Sequence, residues 1–149
     1  MSDFEPQVVP GGTYGRASGP RAGFWRRFLG ALIDGLIVGI IDALLTRAIH
    51  GTDTTDGINL VLEGIYATYF IGSPRGQTLG QMACRIRVVG IADGQPIGYQ
   101  RAFARWLASL ISGLALLLGY LWMLWDREKQ TWHDKLSGSV VVPVDAYYG

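Results

Sequence analysis

Three apolar stretches interrupt a polar chain. Residues 28–49, FLGALIDGLIVGIIDALLTRAI, form the strongest. At about 1.5 Å per residue they reach roughly 33 Å, enough for a hydrocarbon core of about 30 Å. The second, INLVLEGIYATYFIG at 58–72, is short for a span. A helix start near Asp56, a capping residue type, brings it close to the lower limit of about 17 residues. Its Tyr66, Tyr69 and Phe70 suit a membrane interface. The third runs from Ala102 to Trp125, and Trp106, Trp122 and Trp125 flank it as an aromatic belt does.

The intervening segments carry other patterns. SPRG (73–76) breaks the second stretch, and QTLGQMAC predicts a short interfacial helix. RIRVV alternates and is β-branched, which predicts a strand. Asp93-Gly94 is a turn signal ahead of QPIGY, so a small β-hairpin is expected at the membrane surface. After the third stretch, REKQTWHDKL is polar, and SGSVVVPV predicts a last strand. Residues 1–22, rich in Gly, Pro and Ser, predict a flexible tail before a membrane domain over 23–143 and a C-terminal tail over 144–149. A cleaved signal is not expected, because the apolar stretch starts late, runs long and lacks a small-residue cleavage pattern behind it.

Charge sets the orientation. Arg16, Arg21, Arg26 and Arg27 precede the first stretch, and Arg75, Arg85, Arg87, Arg101 and Arg105 lie between the second and the body of the third. The first turn carries Asp53 and Asp56. The positive-inside rule then puts the N-terminus and the middle segment in the cytoplasm of a bacterial inner membrane. Arg127, Lys129 and Lys135 ask for the same side, which one straight third span does not allow. Two readings stay open. Residues 100–126 form a single span, or a re-entrant helical hairpin broken at Ser112-Gly113 that returns the C-terminus to the cytoplasm and lets the two strands pair. The fold class is thus an all-α membrane protein, a small bundle of three apolar segments with a small cytoplasmic β element.

Composition agrees with a lipid solvent. Charged residues make up 17% against about 25% for an ordinary soluble domain, and hydrophobic residues 49%. A net charge of +1 gives no reason to expect a nucleic-acid partner. Cys84 is the only cysteine, so no intramolecular disulfide and no multi-cysteine zinc site can form. No His, Cys and acid set has metal spacing, and no phosphate loop, GxSxG or HExxH occurs, so neither a cofactor nor catalysis is expected.

The candidate chemistry is three acids in the apolar segments. Asp34 and Asp42 lie in the first, Glu63 in the second. An Asp at a helix centre costs about 2.5–3.5 kcal/mol on insertion scales, so each must be used or neutralised. They are candidate sites for a proton or a monovalent cation, with Asp34 foremost, or acids that fix helix register. Arg27 and Asp34, seven positions apart, share a helix face about 10 Å apart along the axis. Gly35 and Gly39 form a GxxxG beside them, a surface for close helix packing and for a homo-oligomer. His133-Asp134 is placed to pair with Arg26 or Arg27.

Arg27 and Asp34 in RFLGALID, TLGQMACRIRVV with Asp93-Gly94, AFARW, and QTWHDKLSGSVVV with Asp134 occur in this order. Together they resemble the RDD family of bacterial membrane proteins over about residues 22–142. Ser137 and Ser139 depart mildly from the usual Ala and Thr. The resemblance implies Arg27, Asp34 and Asp134 as signature charges. A transport role has been suggested for the family, with sodium/proton antiport reported for a member. The expectation is therefore ion or solute transport with Asp34 as the coupling carboxylate, or a non-transporting membrane scaffold in which the same charges hold the fold.

Overall fold

The computed structural model describes residues 20–49, 55–115 and 118–144. The predicted N-terminal tail through residue 19, the first turn with Asp53, and residues 145–149 lie outside them. Helix α1 covers Phe24–Ile49 and α2 Thr55–Gly72. Asp56, expected as a cap, falls inside α2, one residue past its start. Short helix α3 (Leu79–Ala83) leads into strand β1 (Ile86–Gly90). Helix α4 spans Gly98–Leu114 and α5 Leu118–Leu121, which runs into a 3-10 turn at Trp122–Leu124. Helix α6 (Trp132–Ser137) and strand β2 (Ser139–Pro143) complete the described fold.

The predicted hairpin does not form. The Asp93-Gly94 turn is present, with Gly94 N–H donating to the Gly90 carbonyl at 2.8 Å and Gly94 at φ 67°. The chain then enters α4 rather than a strand through QPIGY. Strand β1 pairs instead with β2, antiparallel, with Val88 opposite Val141. Both strands are nearly wholly buried. Ala22 N–H donates to the Val141 carbonyl at 2.9 Å and Val144 N–H to the Arg85 carbonyl at 2.9 Å. Residues 22 and 144, assigned to tails by the sequence pattern, are therefore part of the domain. The segments before α1, between α2 and α4, and after α6 meet at one end of the bundle.

The break in the third apolar region falls after Leu114 rather than at Ser112-Gly113, which lie inside α4. Helices α4 and α5 with its 3-10 turn are bent by 110°. Gly119 packs directly on Ser112, where a side chain would collide with the serine hydroxyl. Among the described residues, α1 is the one unbroken helix long and apolar enough to cross a membrane, and only 6% of its most apolar 18-residue window is buried.

Burial along α4 is inverted relative to a helix of a soluble domain, which turns an apolar stripe to the core. Helix α4 exposes Phe103, Leu107, Ile111 and Leu114, and buries Ala102, Arg105, Ala108 and Ser112. The interior it faces holds Gln130, Thr131, His133, Asp134, Ser137 and Ser139. Large apolar side chains remain exposed along α1, α2 and α5. Polar groups inside and apolar groups outside is the arrangement that a hydrocarbon solvent stabilises around α4, whereas the strand pair with Ala22, Ile71 and Ile97 forms an ordinary apolar core.

Candidate functional site

The site is built from one short motif used twice. Residues 73–90 and 126–143 repeat one order of turn, capped short helix and strand, 53 residues apart. Each opens with a turn: Gly76 N–H donates to Ser73 at 2.9 Å, and Lys129 N–H to Asp126 at 3.1 Å. Both closing residues are left-handed, Gly76 at φ 60° and Lys129 at φ 50°. Gln77 and Gln130 then each donate their side-chain amide 2.8 Å to the first carbonyl of the following strand, on Ile86 and Ser139. Thr78 and Thr131 cap α3 and α6 in reciprocal capping boxes with Gln81 and Asp134. A second left-handed residue, Arg85 or Gly138, ends each helix and starts the strand. The register closes the symmetry, because Val88 and Val141 occupy the same place in the motif and face each other. A local two-fold axis passes between them. We call each motif a clasp, because each holds α1.

The first clasp holds Asp34. Its Oδ2 accepts from the Thr78 hydroxyl at 2.5 Å. Its Oδ1 accepts from the Tyr66 hydroxyl at 2.7 Å and the Gly80 N–H at 2.7 Å. Tyr66 Oη in turn accepts from the Leu79 N–H at 3.1 Å. Gly80 makes this possible, since a Cβ there would run into the Gly30 carbonyl and the Asp34 carboxylate.

The second clasp holds Arg27. Its Nη2 donates to Asp134 Oδ2 at 2.7 Å, and its Nη1 to the Lys129 carbonyl at 2.9 Å. Arg105, buried on α4, places Nη2 2.6 Å from Asp134 Oδ1. Asp134 also accepts from the Thr131 N–H at 3.0 Å and is fully buried. Burial would raise its pKa, but the Arg105 and Arg27 guanidiniums override that and hold the carboxyl well below the usual range. His133 lies against the same cluster, its ring centroid 4.8 Å from that of Tyr120. Burial, then the Arg105 charge, pushes its pKa down to about 3, so it is neutral at pH 7. The cluster thus sets two guanidiniums against one carboxylate.

Of the sequence candidates, Arg27 and Asp134 are joined, and Asp34 sits separately in the other clasp. Arg26 is exposed. Asp42 is half-buried with no hydrogen-bond or ion-pair partner among the described residues, and Glu63 is exposed. A Cβ at Gly35 or Gly39 would meet nothing within 4 Å, so neither packs a helix among the described residues; the close approach of α1 is at Gly30 instead. Among the described residues no three His, Cys, Asp or Glu side chains are grouped to hold a metal. Sequence reasoning missed Thr78, Gly80 and the clasp role of Arg105. The signal was the recurrence of Gln-Thr-x-x-(Gln/Asp) ahead of a Val-Val strand.

The model of the RDD family matches residues 21–138. The uncharacterized protein YckC of Bacillus subtilis is 30% identical over 128 residues, covering 80% of this chain and 83% of that one. The proline-rich antigen homolog of Mycobacterium tuberculosis is 36% identical over 69 residues, 46% of this chain; the match spans only 29% of that relative's length. No solved structure matches. The chain belongs to the RDD family and is membrane-associated.

Proposed function

From that membership we propose a multi-pass protein of the bacterial inner membrane that acts as a non-transporting scaffold or assembly partner. In this reading α1 and α2 cross the bilayer, and α4 with α5 forms a re-entrant hairpin. Both chain ends lie in the cytoplasm. Pairing of β1 with β2, and of Ala22 with Val141, supports one shared side for all three polar segments. The basic residues gathered there support the cytoplasm.

The observation that carries the scaffold reading is the closed shell of Asp34. Three donors occupy its two oxygens, and two of them come from the clasp itself. A coupling carboxylate has to exchange its partners for a proton or cation; this one is engaged as a fastening for α1.

The test is cation-driven pH change in inside-out vesicles, run beside thermal unfolding in detergent. The scaffold reading expects parent traces equal to empty vesicles, and an Asp34→Asn variant that inserts but melts earlier. A sodium- or potassium-dependent signal lost in Asp34→Asn, with unchanged melting, would establish transport instead. Reporter fusions at both termini test the topology, and a periplasmic C-terminus would remove the hairpin.

A further inference from the structure

Helices α2 and α4 pack antiparallel, with Gly72 against Tyr99 at one end and Gly64 against the Trp106 ring further along. Between them runs an open groove of about 420 Å³, with walls that include Val61, Ile65, Tyr69, Tyr99, Phe103 and Trp106. Cavities of about 300–1,000 Å³, apolar with a few placed polar groups, are the usual form of a small-molecule site. This groove is graded along its length. Its far end, at Val61 and Ile65, is hydrocarbon apart from the Trp106 indole packed on Gly64. Its near end, beside the polar segment that carries the clasps, has the Tyr69 and Tyr99 rings, both more than half exposed. Neither tyrosine hydroxyl has a partner among the described residues. Two more polar atoms on the walls, Thr68 Oγ1 and Trp106 Nε1, are buried without a partner.

Length and direction identify the occupant. From Val61 to Tyr69 the groove follows about 12 Å of helix, most of the roughly 15 Å depth of one leaflet of a hydrocarbon core. Apolar walls of most of a leaflet's depth, with Tyr69 and Tyr99 at the end nearer the polar segment, match a phospholipid acyl chain and the ester carbonyl that heads it. Tyrosine rings favour that boundary. We propose that the α2–α4 groove binds one acyl chain of a bilayer phospholipid, with its ester oxygens hydrogen-bonded by Tyr69 and Tyr99. The inference rests on the membrane reading above, but not on the choice between transport and scaffold.

The experiment reconstitutes the full chain in vesicles of phosphatidylethanolamine and phosphatidylglycerol. A trace of the phosphatidylglycerol carries a photoreactive diazirine on its acyl chain. Labelled peptides are mapped in the parent, in Ile65→Trp, which fills the groove from an exposed position, and in Leu36→Trp, an equally exposed site on α1. Labelling is expected to concentrate on residues 61–72 and 99–106, to fall about tenfold in Ile65→Trp, and to hold in Leu36→Trp. Labelling spread over α1, α2 and α4 in proportion to exposure, or unchanged in Ile65→Trp, would overturn the site. So would protein–protein cross-links through the groove, which would give it to a second copy. A Tyr69→Phe, Tyr99→Phe double variant keeps both rings, and is expected to lose the retained lipid mass by native mass spectrometry. Full retention would remove the ester contact. Failure of the chain to insert would show in flotation of the parent and would fall on the membrane reading instead.

Discussion

The two clasps share a backbone and hold the same helix by opposite means. A helix N-terminus favours negative charge. In the first clasp the residue three positions past the cap is neutral Gln81, and the carboxylate is imported from α1 as Asp34. In the second, the equivalent residue is Asp134, which supplies its own negative charge and needs cations in return. Arg27 from α1 and Arg105 from α4 answer that need. One position earlier, Gly80 clears a path for α1, whereas its counterpart His133 carries a ring that packs at a tilt against Tyr120. Arg27 and Asp34 stand seven residues apart on α1, about 10 Å along the axis, and that interval is the spacing of the two holds. One duplicated backbone thus receives a positive and a negative side chain from one helix, and the side chain at the third helical position decides which.

The difference between the clasps is sharpest where charge is fully buried. Asp134→Asn leaves Arg27 and Arg105 buried with no carboxylate. Breaking a buried pair on one side costs about 3–5 kcal/mol. Thermal unfolding in detergent is expected to show the largest loss of any single clasp variant, well beyond that of Asp34→Asn, whose site is only half-buried. Equal losses would mean that the clasps carry α1 in the same way.

The next test concerns the paired positions 80 and 133. Gly80→Ala sets a methyl group against the Gly30 carbonyl, which is backbone and cannot swing aside. Overpacking of this kind costs about 1–3 kcal/mol. The variant is expected to loosen α1 without disturbing the second clasp. Faster amide exchange in α3 and at residues 30–34, with α6 unchanged, would show it. Exchange rising equally in both clasps would mean that the halves open together.

What the sequence revealed follows the range of the interactions. Helices α1 and α2 were legible because apolar run length is a local property. The Asp93-Gly94 turn was legible for the same reason, yet what followed it was not. Strand β1 finds its partner some fifty residues on, and no local pattern announces that pairing. Helix α6 is six residues long, too short for a hydrophobic period, and only its capping box could mark it. Resemblance to the family picked out Arg27, Asp34 and Asp134, but not their division between two holds. Arg105 read as a topology charge because nothing in its own helix shows that its side chain is buried against Asp134.

The smallest expected effect separates the clasps by pH. His133 is held neutral in the fold, with its pKa near 3, whereas an unfolded histidine titrates near about 6.5. Below that value the unfolded chain binds a proton that the folded one refuses. The His133 contribution is therefore complete above about pH 6.5 and falls as the pH drops toward 3. The carboxylate of Asp134 is depressed in the fold, so its contribution is retained down to about pH 3.9 and is lost only below that. Between about pH 6.5 and 4 the slope within the second clasp belongs to His133. At about 1.4 kcal/mol per pH unit, stability at pH 5 should lie about 2 kcal/mol below its value at pH 7. His133→Phe keeps a ring against Tyr120 and removes the titration. Melting temperatures from pH 7 to 4.5 should slope in the parent and flatten in His133→Phe. The first clasp contains no histidine, so exchange of the Gly80 amide should lag that of Asp134 as the pH falls. Parallel slopes in both proteins would place the titrating group at a residue other than His133.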